Sequence, residues 1–535
     1  MPVNEIAMSS YAVPRHHDGV LVVPRQGELP AVATENSRQL AAPDIDLNGL
    51  SLGTLRVQTQ AAVIAEAIKY TGNLVEDTIQ CAPVRRLIVT GHQPELFHAG
   101  VWAKNFAAAG LARQTGGPAL NLMIDNDTVV STRIRLPAGT RDAPTIESIP
   151  FDIAQPQQPW EEATIADQEC FQGFGERVRS RIRDCWNYEP LVSVGWPAAI
   201  RQARVSTRLC DCLAAARVAV ERLHGVHNLE VPMSRVCSTR AFCQFAAFLL
   251  AHLPRFHLIY NESVLDYRHS RRMRSTTHPV PELDTRDEWL EAPFWVWRPG
   301  SRRRERPFVR QRNSEMELRD DRGVFARLPL SPDHPLDGAA AVLEQLSEHG
   351  IRFRTRALTT TMFARVFLAD LFIHGIGGAK YDSMTDRICE RFLGIRPPQF
   401  ATVTATVHLP LGAPFAATDD ELRDAGQRIR EIRYNPDRYL SGISNDRIRS
   451  LITEKQGLIS GLDSRRPTRV EHRRLTTIHA ELLATLDGRI QLLNSIRDQL
   501  RRELKANAVL QNREFSWCLQ PEEMLTSLFR REFLT

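Results

Sequence analysis

Short apolar runs alternate with amphipathic segments along the chain up to Pro410, and charged helical patterns follow. Residues 1–50 are rich in proline, glycine and polar residues, which predicts an extended, loop-rich opening segment. The pattern over Leu55–Tyr70 then predicts a helix that ends at Gly72. We therefore assign residues 1–83 to an N-terminal extended and helical segment.

The clearest strand–loop–helix unit follows directly. The apolar run Val84–Thr90 predicts a buried strand, residues 91–97 a loop, and His98–Arg113 a helix. A second strand is predicted over Ala119–Ile124, directly before the polar triplet 125–127. A strand, a helix and a strand within about 45 residues predict a parallel βαβ unit.

Further elements are predicted before Pro410. They are helices over Ile200–His224 and Ser238–Leu253, a strand over Phe256–Tyr260, a hairpin that pairs Phe294–Arg298 with Pro307–Gln311, a helix over Ala339–His349, a glycine turn at His374–Gly378 and a helix over Tyr381–Leu393. Together they predict an α/β core over residues 84–412, with an inserted helical and hairpin segment at about 200–330.

The remainder of the chain has helical patterns. Asp419–Arg433 and Asp446–Leu462 predict charged helices, and Val470–Leu510 predicts one long helix. Its apolar positions recur about every 3.6 residues, whereas a strict heptad repeats every 3.5. This spacing favours an antiparallel helical coiled-coil hairpin over residues 413–510. The aromatic tail, residues 511–535, is expected to fold back on the core.

Composition excludes several classes of protein. The 535 residues are 43% hydrophobic and 24% charged with a net charge of +5, which is typical of a globular protein and too weakly basic to predict a nucleic-acid partner. No apolar stretch approaches the roughly 18–20 residues of a membrane span, and Met1–Arg15 lacks a signal-peptide pattern. We expect a cytoplasmic protein without a membrane partner. The Arg302–Arg304 cluster is interpreted as a solvated hairpin tip.

The cysteines and lysines limit which kinds of functional site the sequence predicts. The nine cysteines are scattered without a CxxC pair, so we expect free buried thiols rather than a metal site or a disulfide framework. Only five lysines occur among 68 lysines and arginines. A lysine that persists in such a sequence can mark a place where a compact ammonium is needed. Two of the five, Lys104 and Lys380, fall within motif-like segments.

Three polar clusters are candidate sites. The first surrounds the first βα junction and comprises Gly91, His92, Gln93, His98, Gly100, Lys104 and Asn105. Amides at a helix start favour anions, and histidines add proton transfer. The alternative is a structural turn with surface histidines. Because ligands gather at the carboxyl ends of parallel strands, we expect this cluster and the triplet after the second strand to lie close together.

The second cluster is the triplet Asp125, Asn126 and Asp127. Its side chains could bind a substrate amine or a magnesium ion, or orient a histidine, and the alternative is helix capping. The third cluster comprises His374, Gly377, Gly378, Lys380, Tyr381 and Asp382. Its glycines permit close approach of a ligand to the backbone, and the alternative is a flexible loop capped by Asp382.

The order of these motifs resembles the bacillithiol biosynthesis cysteine-adding enzymes. That family has a Gly-Gln-Gln loop, a glycine-containing helix start and an Asp-His-Asp-type strand end, where this chain has Gly91-His92-Gln93 and Asp125-Asn126-Asp127. The hairpin, the Gly-Gly turn before a Pro-Pro and the long C-terminal helix also have counterparts in the family. The likeness spans most of the chain from about residue 84, as motifs in order.

The resemblance implies a Rossmann-like core related to nucleotidyltransferases, a coiled-coil domain, and a ligase that joins the carboxyl of cysteine to the amine of glucosaminyl malate. It further implies that His92 or His98 accepts a proton, that Lys104 and Lys380 hold carboxylate or phosphate, and that Asp125 or Asp127 receives the amino group. His92 and Asn126 depart from the family residues, so the acceptor or the amino acid can differ.

Two alternatives remain beside the ligase. The same pocket could transfer a nucleotidyl group from ATP with magnesium, with His92 and His98 on the phosphates. Alternatively, the protein could be a scaffold without enzymatic activity that dimerises through its helical hairpin and keeps only a vestigial pocket. The source of carboxyl activation is open, with ATP and magnesium as candidates, and the apolar stripe of the long helix makes a homodimer a hypothesis.

Overall fold

The chain was analysed as a computed structural model, which describes residues 12–42, 45–79, 84–275, 277, 280–301, 303–312, 315–329, 335–440, 444–462 and 465–535. It is a mixed α/β protein with a sheet of mainly parallel strands and a helical C-terminal region. The strands are β1 Gly19–Val23, β2 Ile88–His92, β3 Ala119–Met123, β4 Arg133–Thr140, β5 Ala143–Pro150, β6 Leu229–Pro232, β7 Thr285–Arg286, β8 Trp289–Glu291, β9 Phe294–Trp297, β10 Phe308–Arg312, β11 Glu315–Asp320, β12 Gly323–Leu328, β13 Arg352–Thr355, β14 Leu371–His374 and β15 Phe400–Thr406.

The α-helices are α1 Leu29–Ala41, α2 Leu52–Val75, α3 Ala99–Thr115, α4 Gln168–Trp186, α5 Val192–Gln202, α6 Leu209–Leu223, α7 Met233–Val236, α8 Arg240–Ala251, α9 Leu253–Ser270, α10 Leu336–Gln345, α11 Ala357–Phe363, α12 Ile376–Tyr381, α13 Ser383–Ile388, α14 Asp419–Tyr434, α15 Asp446–Ser460, α16 Arg469–Ala484, α17 Asp487–Leu510 and α18 Glu522–Phe529. Short 3-10 turns and three π-helical turns, at Ala364–Leu368, Cys389–Leu393 and Arg530–Leu534, link some of them.

The six-stranded sheet has the order β1-β15-β14-β2-β3-β6. Strands β15, β14, β2, β3 and β6 are parallel, and β1 pairs antiparallel with β15 at one edge. Ile88 lies opposite Ala119 and His92 opposite Met123, with α3 as the connection between the two strands. The predicted βαβ unit is therefore confirmed, and the parallel strands bring their carboxyl ends to one edge.

The described part of the opening segment, residues 12–42 and 45–50, is more regular than predicted. It contributes β1, which extends the core sheet, and α1, which carries four buried residues. The following helix is also longer than predicted, because Gly72 lies inside α2 and the helix ends at Glu76, whose φ of 54° is left-handed. A glycine one turn before the end of a helix is tolerated, so it did not mark the boundary.

The predicted strand Phe256–Tyr260 is wrong, because these residues lie inside α9. Phe256, Ile259 and Tyr260 are buried while Leu258 is 60% exposed, which is the periodicity of a helix with one face on the core. A five-residue apolar run is too short to distinguish a strand from a buried helix. The predicted helix Ile200–His224 is likewise divided, into the end of α5 and all of α6.

The predicted hairpin is also wrong in its pairing. β9 pairs with β13, whose residues lie more than 50 positions later, and β10 pairs with β8 and β11 in a separate five-stranded sheet. The bridge from Val296 reaches Glu305, which precedes the second predicted arm. The predicted hairpin pairs two segments that are neighbours in the sequence, whereas tertiary packing decides which strand becomes the partner.

The chain forms two compact units. The first comprises residues 1–136, 147–409 and 513–535, and the second comprises residues 137–146 and 410–512. In the second unit the predicted long helix breaks at Thr485–Leu486 into α16 and α17. α14 packs on α17 and α15 on α16 around an apolar core that includes Ile432, Ile448, Ile478 and Leu482.

Within the first unit the C-terminal tail packs against α3. Trp517 lies 4.9 Å from Trp102 and Phe529 lies 5.0 Å from Phe106, measured between ring centroids. Eight cysteines are free, of which six are buried, and Cys81 lies outside the described residues. No single helix of the described chain is long and apolar enough to cross a membrane; α8 and α9 reach that composition only as a pair bent by 85°.

Candidate functional site

All three predicted clusters lie at the carboxyl edge of the six-stranded sheet. Gly91 and His92 end β2, the triplet 125–127 follows β3, and His374 ends the neighbouring strand β14. α3 and α12 begin at this same edge. The expected juxtaposition of the first two clusters therefore holds, and β14 adds the third.

Lys104 is the central residue of this edge. It lies in the second turn of α3, is 3% exposed, and donates a hydrogen bond of 2.7 Å from Nζ to the carbonyl of Gly91. A Cβ added at Gly375 would lie 3.9 Å from its Cδ, so the side chain also passes close to the start of α12. Among the described residues no carboxylate forms an ion pair with this ammonium.

An unpaired buried ammonium is easily deprotonated. Burial, and then the positive charge of Arg217, lower the pKa of Lys104 from 10.5 to about 7. Two of its three N–H donors remain for a ligand. An acidic group placed beside it would supply the missing counter-charge and raise that pKa again.

The two histidines of the first cluster are neutral near pH 7. Burial, followed by the charge of Lys104, lowers the pKa of His92 to about 3. Burial also dominates for His98, whose pKa is lowered to about 4 although Glu514 opposes the shift. His98 caps α3 by accepting from the amide of Gly100, and its other ring nitrogen lies 3.4 Å from Glu514.

Gly100 and Asn105 contact other parts of the protein and do not face open space. A Cβ at Gly100 would lie 2.4 Å from the carbonyl oxygen of Ala405, so this glycine allows α3 to pack on β15. Asn105 is buried and its amide donates at 2.7 Å to Glu221. Neither contact supports the predicted role in substrate binding.

The three members of the triplet have different surroundings. Asp125 is fully buried and accepts hydrogen bonds from the amide and the hydroxyl of Ser234. Burial, and then Glu161, raise its pKa to about 6 despite an ion pair of 3.3 Å with Arg208. Both of its oxygens are thus occupied, so the predicted amine-binding role fits Asp127 better.

Asn126 holds the loop to the rest of the core. Its amide nitrogen donates at 2.8 Å to the carbonyl of Thr355, and its amide oxygen is buried without a hydrogen-bond donor. Such an orphaned acceptor is uncommon in a folded protein and is a position where a donor from a ligand would be stabilising.

Asp127 is the accessible acid of the site, with a side chain that is 38% exposed. Gln93 donates to it at 2.9 Å and Arg304 forms an ion pair of 3.1 Å with it. The guanidinium of Arg304 lies over the ring of Trp295, 4.7 Å from its centroid. Asp127 is therefore held in one orientation while one face stays open.

Arg304 is the functional candidate that sequence reasoning missed. The solvated hairpin tip predicted for Arg302–Arg304 is wrong for Arg304, whose side chain is only 18% exposed, and Arg302 lies outside the described residues. Its partners Asn126 and Asp127 are far away in the sequence, so no local signal could have found the contact.

In the third cluster His374 and Asp382 form a buried pair. His374 Nε2 lies 2.9 Å from Asp382, which also accepts at 2.7 Å from Arg365. Although burial alone would raise it, Arg365 and then His374 lower the pKa of Asp382 to about 2. A Cβ at Gly378 would lie 2.7 Å from the His374 ring, so that glycine fixes where the imidazole can lie.

The remaining residues of this cluster are nearer the surface. Gly377 is exposed, with open space where a Cβ would be, and Lys380 is exposed. Tyr381 is partly buried, and burial, followed by the charges of Asp382 and Asp127, raises its pKa. Tyr381 therefore lies within the electrostatic influence of Asp127 of the second cluster, whereas Lys380 does not duplicate the buried environment of Lys104.

The acidic residues of the site fit a magnesium ion poorly. The described residues contain no group of three histidine, cysteine or acidic side chains that could hold a metal. Asp125 is occupied by Ser234, which leaves Asp127 as the one open carboxylate of the triplet.

Comparison with known proteins adds no relative: no family model matches the chain, and no curated protein matches it significantly. The chemistry must therefore be inferred from the site itself. The site combines a buried ammonium without an acidic partner among the described residues, an oriented carboxylate and two neutral imidazoles at one edge of a parallel sheet. Such a set can hold a substrate that carries both an acid group and an amine.

Proposed function

We propose that the protein is a carbon–nitrogen ligase that joins the carboxyl of cysteine, or a similar amino acid, to the amine of an acidic acceptor such as glucosaminyl malate. The proposal includes a Rossmann-like, nucleotidyltransferase-like core and a coiled-coil second unit, as the resemblance to the cysteine-adding enzymes implies. It also includes a cytoplasmic location and a small-molecule substrate as the partner. A homodimer remains a hypothesis within it.

The observation that carries the proposal is the buried ammonium of Lys104. Nothing in its described surroundings neutralises it, and the charge of Arg217 disfavours it further. A folded protein retains such a group where a ligand supplies the opposite charge. Lys104 would bind a carboxylate of the substrate, and as a compact point charge it fits a space that a guanidinium would overfill.

The other residues would complete the amide-forming site. Asp127, oriented by Gln93 and Arg304, would receive the amino group. His92 and His98 are unprotonated at neutral pH and could take the proton that the amine loses, although pKa values of about 3 and 4 make them weak bases. Asp382 would keep His374 in one tautomer beside the pocket.

The two alternatives have less support. Nucleotidyl transfer needs histidines that stabilise phosphate charge, yet both are neutral and His98 already caps α3. A scaffold with a vestigial pocket does not explain why an unneutralised ammonium is kept in the core. Substitution by methionine would remove that charge without removing apolar volume.

The test is a mass-spectrometric assay with purified protein, cysteine and glucosaminyl malate, with and without ATP and magnesium. We expect a product at the mass of the amide, lost in Lys104→Met and kept in the matched control Lys69→Met, which changes an exposed lysine. Comparison of the two conditions identifies how the carboxyl is activated.

Absence of product from folded wild-type protein in both conditions, with these and other acidic amines and amino acids, would refute the ligase proposal. Release of pyrophosphate together with a nucleotidylated substrate would favour nucleotidyl transfer instead. An active Lys104→Met variant would show that the ammonium is not part of the site.

A further inference from the structure

A second polar cleft lies at the opposite edge of the same sheet. It has a volume of about 450 Å³ and lies at the amino ends of β3 and β6, between the last turns of α3 and α6. Its size is that of a small-molecule pocket. None of its lining residues belongs to the three clusters at the carboxyl edge.

Arginines dominate the charge of this cleft. Arg113 and Arg222 line it, and together with Arg530 they line an adjoining cleft of about 380 Å³. In the part of the chain that the structure describes, none of the three forms an ion pair with a carboxylate. Arg113 donates to the carbonyl of Gly225, and the buried Nε of Arg222 has no acceptor.

Burial and the positive charge of these clefts lower the pKa of two nearby histidines. The pKa of His227 is lowered by burial and then by Arg222 and Arg113. The pKa of His224 is lowered by burial and by Arg530, although Glu522 opposes the shift. The acid that lines the larger cleft is Asp77, and the charges of Asp77, Glu221 and Glu230 all act on Arg222. Because Glu221 and Glu230 form ion pairs with Arg217, the charged side chains that line the two clefts are mainly cationic.

A simpler explanation covers part of this arrangement. Arg113 and Arg222 lie in the last turns of α3 and α6, where a cation interacts favourably with the helix dipole. That explanation does not account for Arg530, which follows α18 and brings a third guanidinium to the same place. Three like charges converge only at a cost, unless an anion binds between them.

We propose that this amino-edge cleft binds a small molecule through a phosphate group held by Arg113, Arg222 and Arg530. Guanidinium forks match the oxygens of phosphate in pairs of parallel hydrogen bonds. This site is distinct from the carboxyl-edge site and does not rest on the ligase proposal. It provides a place for a phosphorylated substrate, product or regulator to bind.

The test is isothermal titration of the full chain with inorganic pyrophosphate, without divalent cations and at low ionic strength. We expect saturable binding that weakens about tenfold or more in Arg222→Gln, because a charge-assisted hydrogen bond is worth about 1.5–3 kcal/mol. The control Arg502→Gln, an exposed arginine on α17, should bind like wild type.

The Lys104→Met variant separates the two edges of the sheet, and it should also bind pyrophosphate like wild type. Loss of binding in Lys104→Met would assign the pyrophosphate to the carboxyl-edge site and overturn the proposal. So would undetectable binding by wild type at millimolar pyrophosphate, or equal binding by Arg222→Gln. If circular dichroism shows that Arg222→Gln is unfolded, Arg530→Gln is measured in its place, with the same expectation.

Discussion

Replacement of Lys104 by methionine should stabilise the protein while it abolishes the binding of an acidic substrate. The lysine is buried with a lowered pKa, so the folded state disfavours its charged form. Methionine has a similar length and no charge to desolvate. A residue that weakens the fold but serves the site is the expected signature of a functional group.

The expected gain in the free energy of unfolding follows from the lowered pKa of Lys104. The difference between 10.5 and about 7 corresponds to roughly 5 kcal/mol, at about 1.36 kcal/mol per pH unit. Because the unfolded chain binds the extra proton between pH 7 and 10.5, wild-type stability rises with pH in that window and carries the full penalty below it. After the lost hydrogen bond to Gly91, worth about 1 kcal/mol, the variant should gain roughly 3–4 kcal/mol at pH 6.

The measurement is urea unfolding followed by tryptophan fluorescence between pH 6 and 9. All eight tryptophans lie in the unit that contains Lys104, so this signal reports on the relevant unit. The advantage of Lys104→Met should shrink by about 1.4 kcal/mol per pH unit above pH 7. Lys69→Met, on an exposed face of α2, should show no such dependence.

An advantage of Lys104→Met that stays constant from pH 6 to 9 would refute the reasoning, because the lysine of the folded protein would then be charged throughout this range, as it is in the unfolded chain. A variant less stable than wild type at pH 6 would show that the ammonium has a counter-charge after all.

Two further substitutions test the third cluster. Gly378→Ala should displace the ring of His374, since the added Cβ would lie 2.7 Å from it, and should lower amide formation, whereas Gly377→Ala meets open space and should be active; equal activities measured by mass spectrometry would contradict this. Arg365→Met should lower the free energy of unfolding by about 3–5 kcal/mol, because it removes the buried guanidinium that forms ion pairs with Asp382 and Asp386. Urea unfolding at pH 7 measures this loss, and an unchanged midpoint would contradict it.

The sequence was most informative where local chemistry decides the structure. The apolar run before Gly91, the helix predicted from His98 and the second apolar run together predicted a parallel βαβ unit, and the unit is present. The rule that ligands gather at strand carboxyl ends then brought Lys104 and Asp127 to one edge. Both inferences use contacts within about 45 residues of chain.

The features that the sequence did not predict depend on contacts between residues far apart in the chain. Whether Asp125 or Asp127 is open depends on Ser234, which occupies Asp125 from more than 100 residues away. Arg304 contacts Asp127 from a distant part of the sequence and lies over Trp295 of β9, a strand that pairs with β13 instead of the nearer β10. Short apolar runs such as that in α9 suit a strand and a helix equally, and tertiary packing selects between them.

The proton balance of substrate binding tests the role of Lys104 most directly. Titration calorimetry with glucosaminyl malate at pH 8, in buffers of different ionisation enthalpy, measures the protons taken up on binding. The pKa of Lys104 is about 7 in the free protein, so its side chain is mostly unprotonated at pH 8. A bound carboxylate should raise that pKa, and wild type should therefore take up close to one proton per bound ligand. Binding by wild type without proton uptake, or the same uptake by Lys104→Met, would contradict the proposal that this buried ammonium holds the acid group of the substrate.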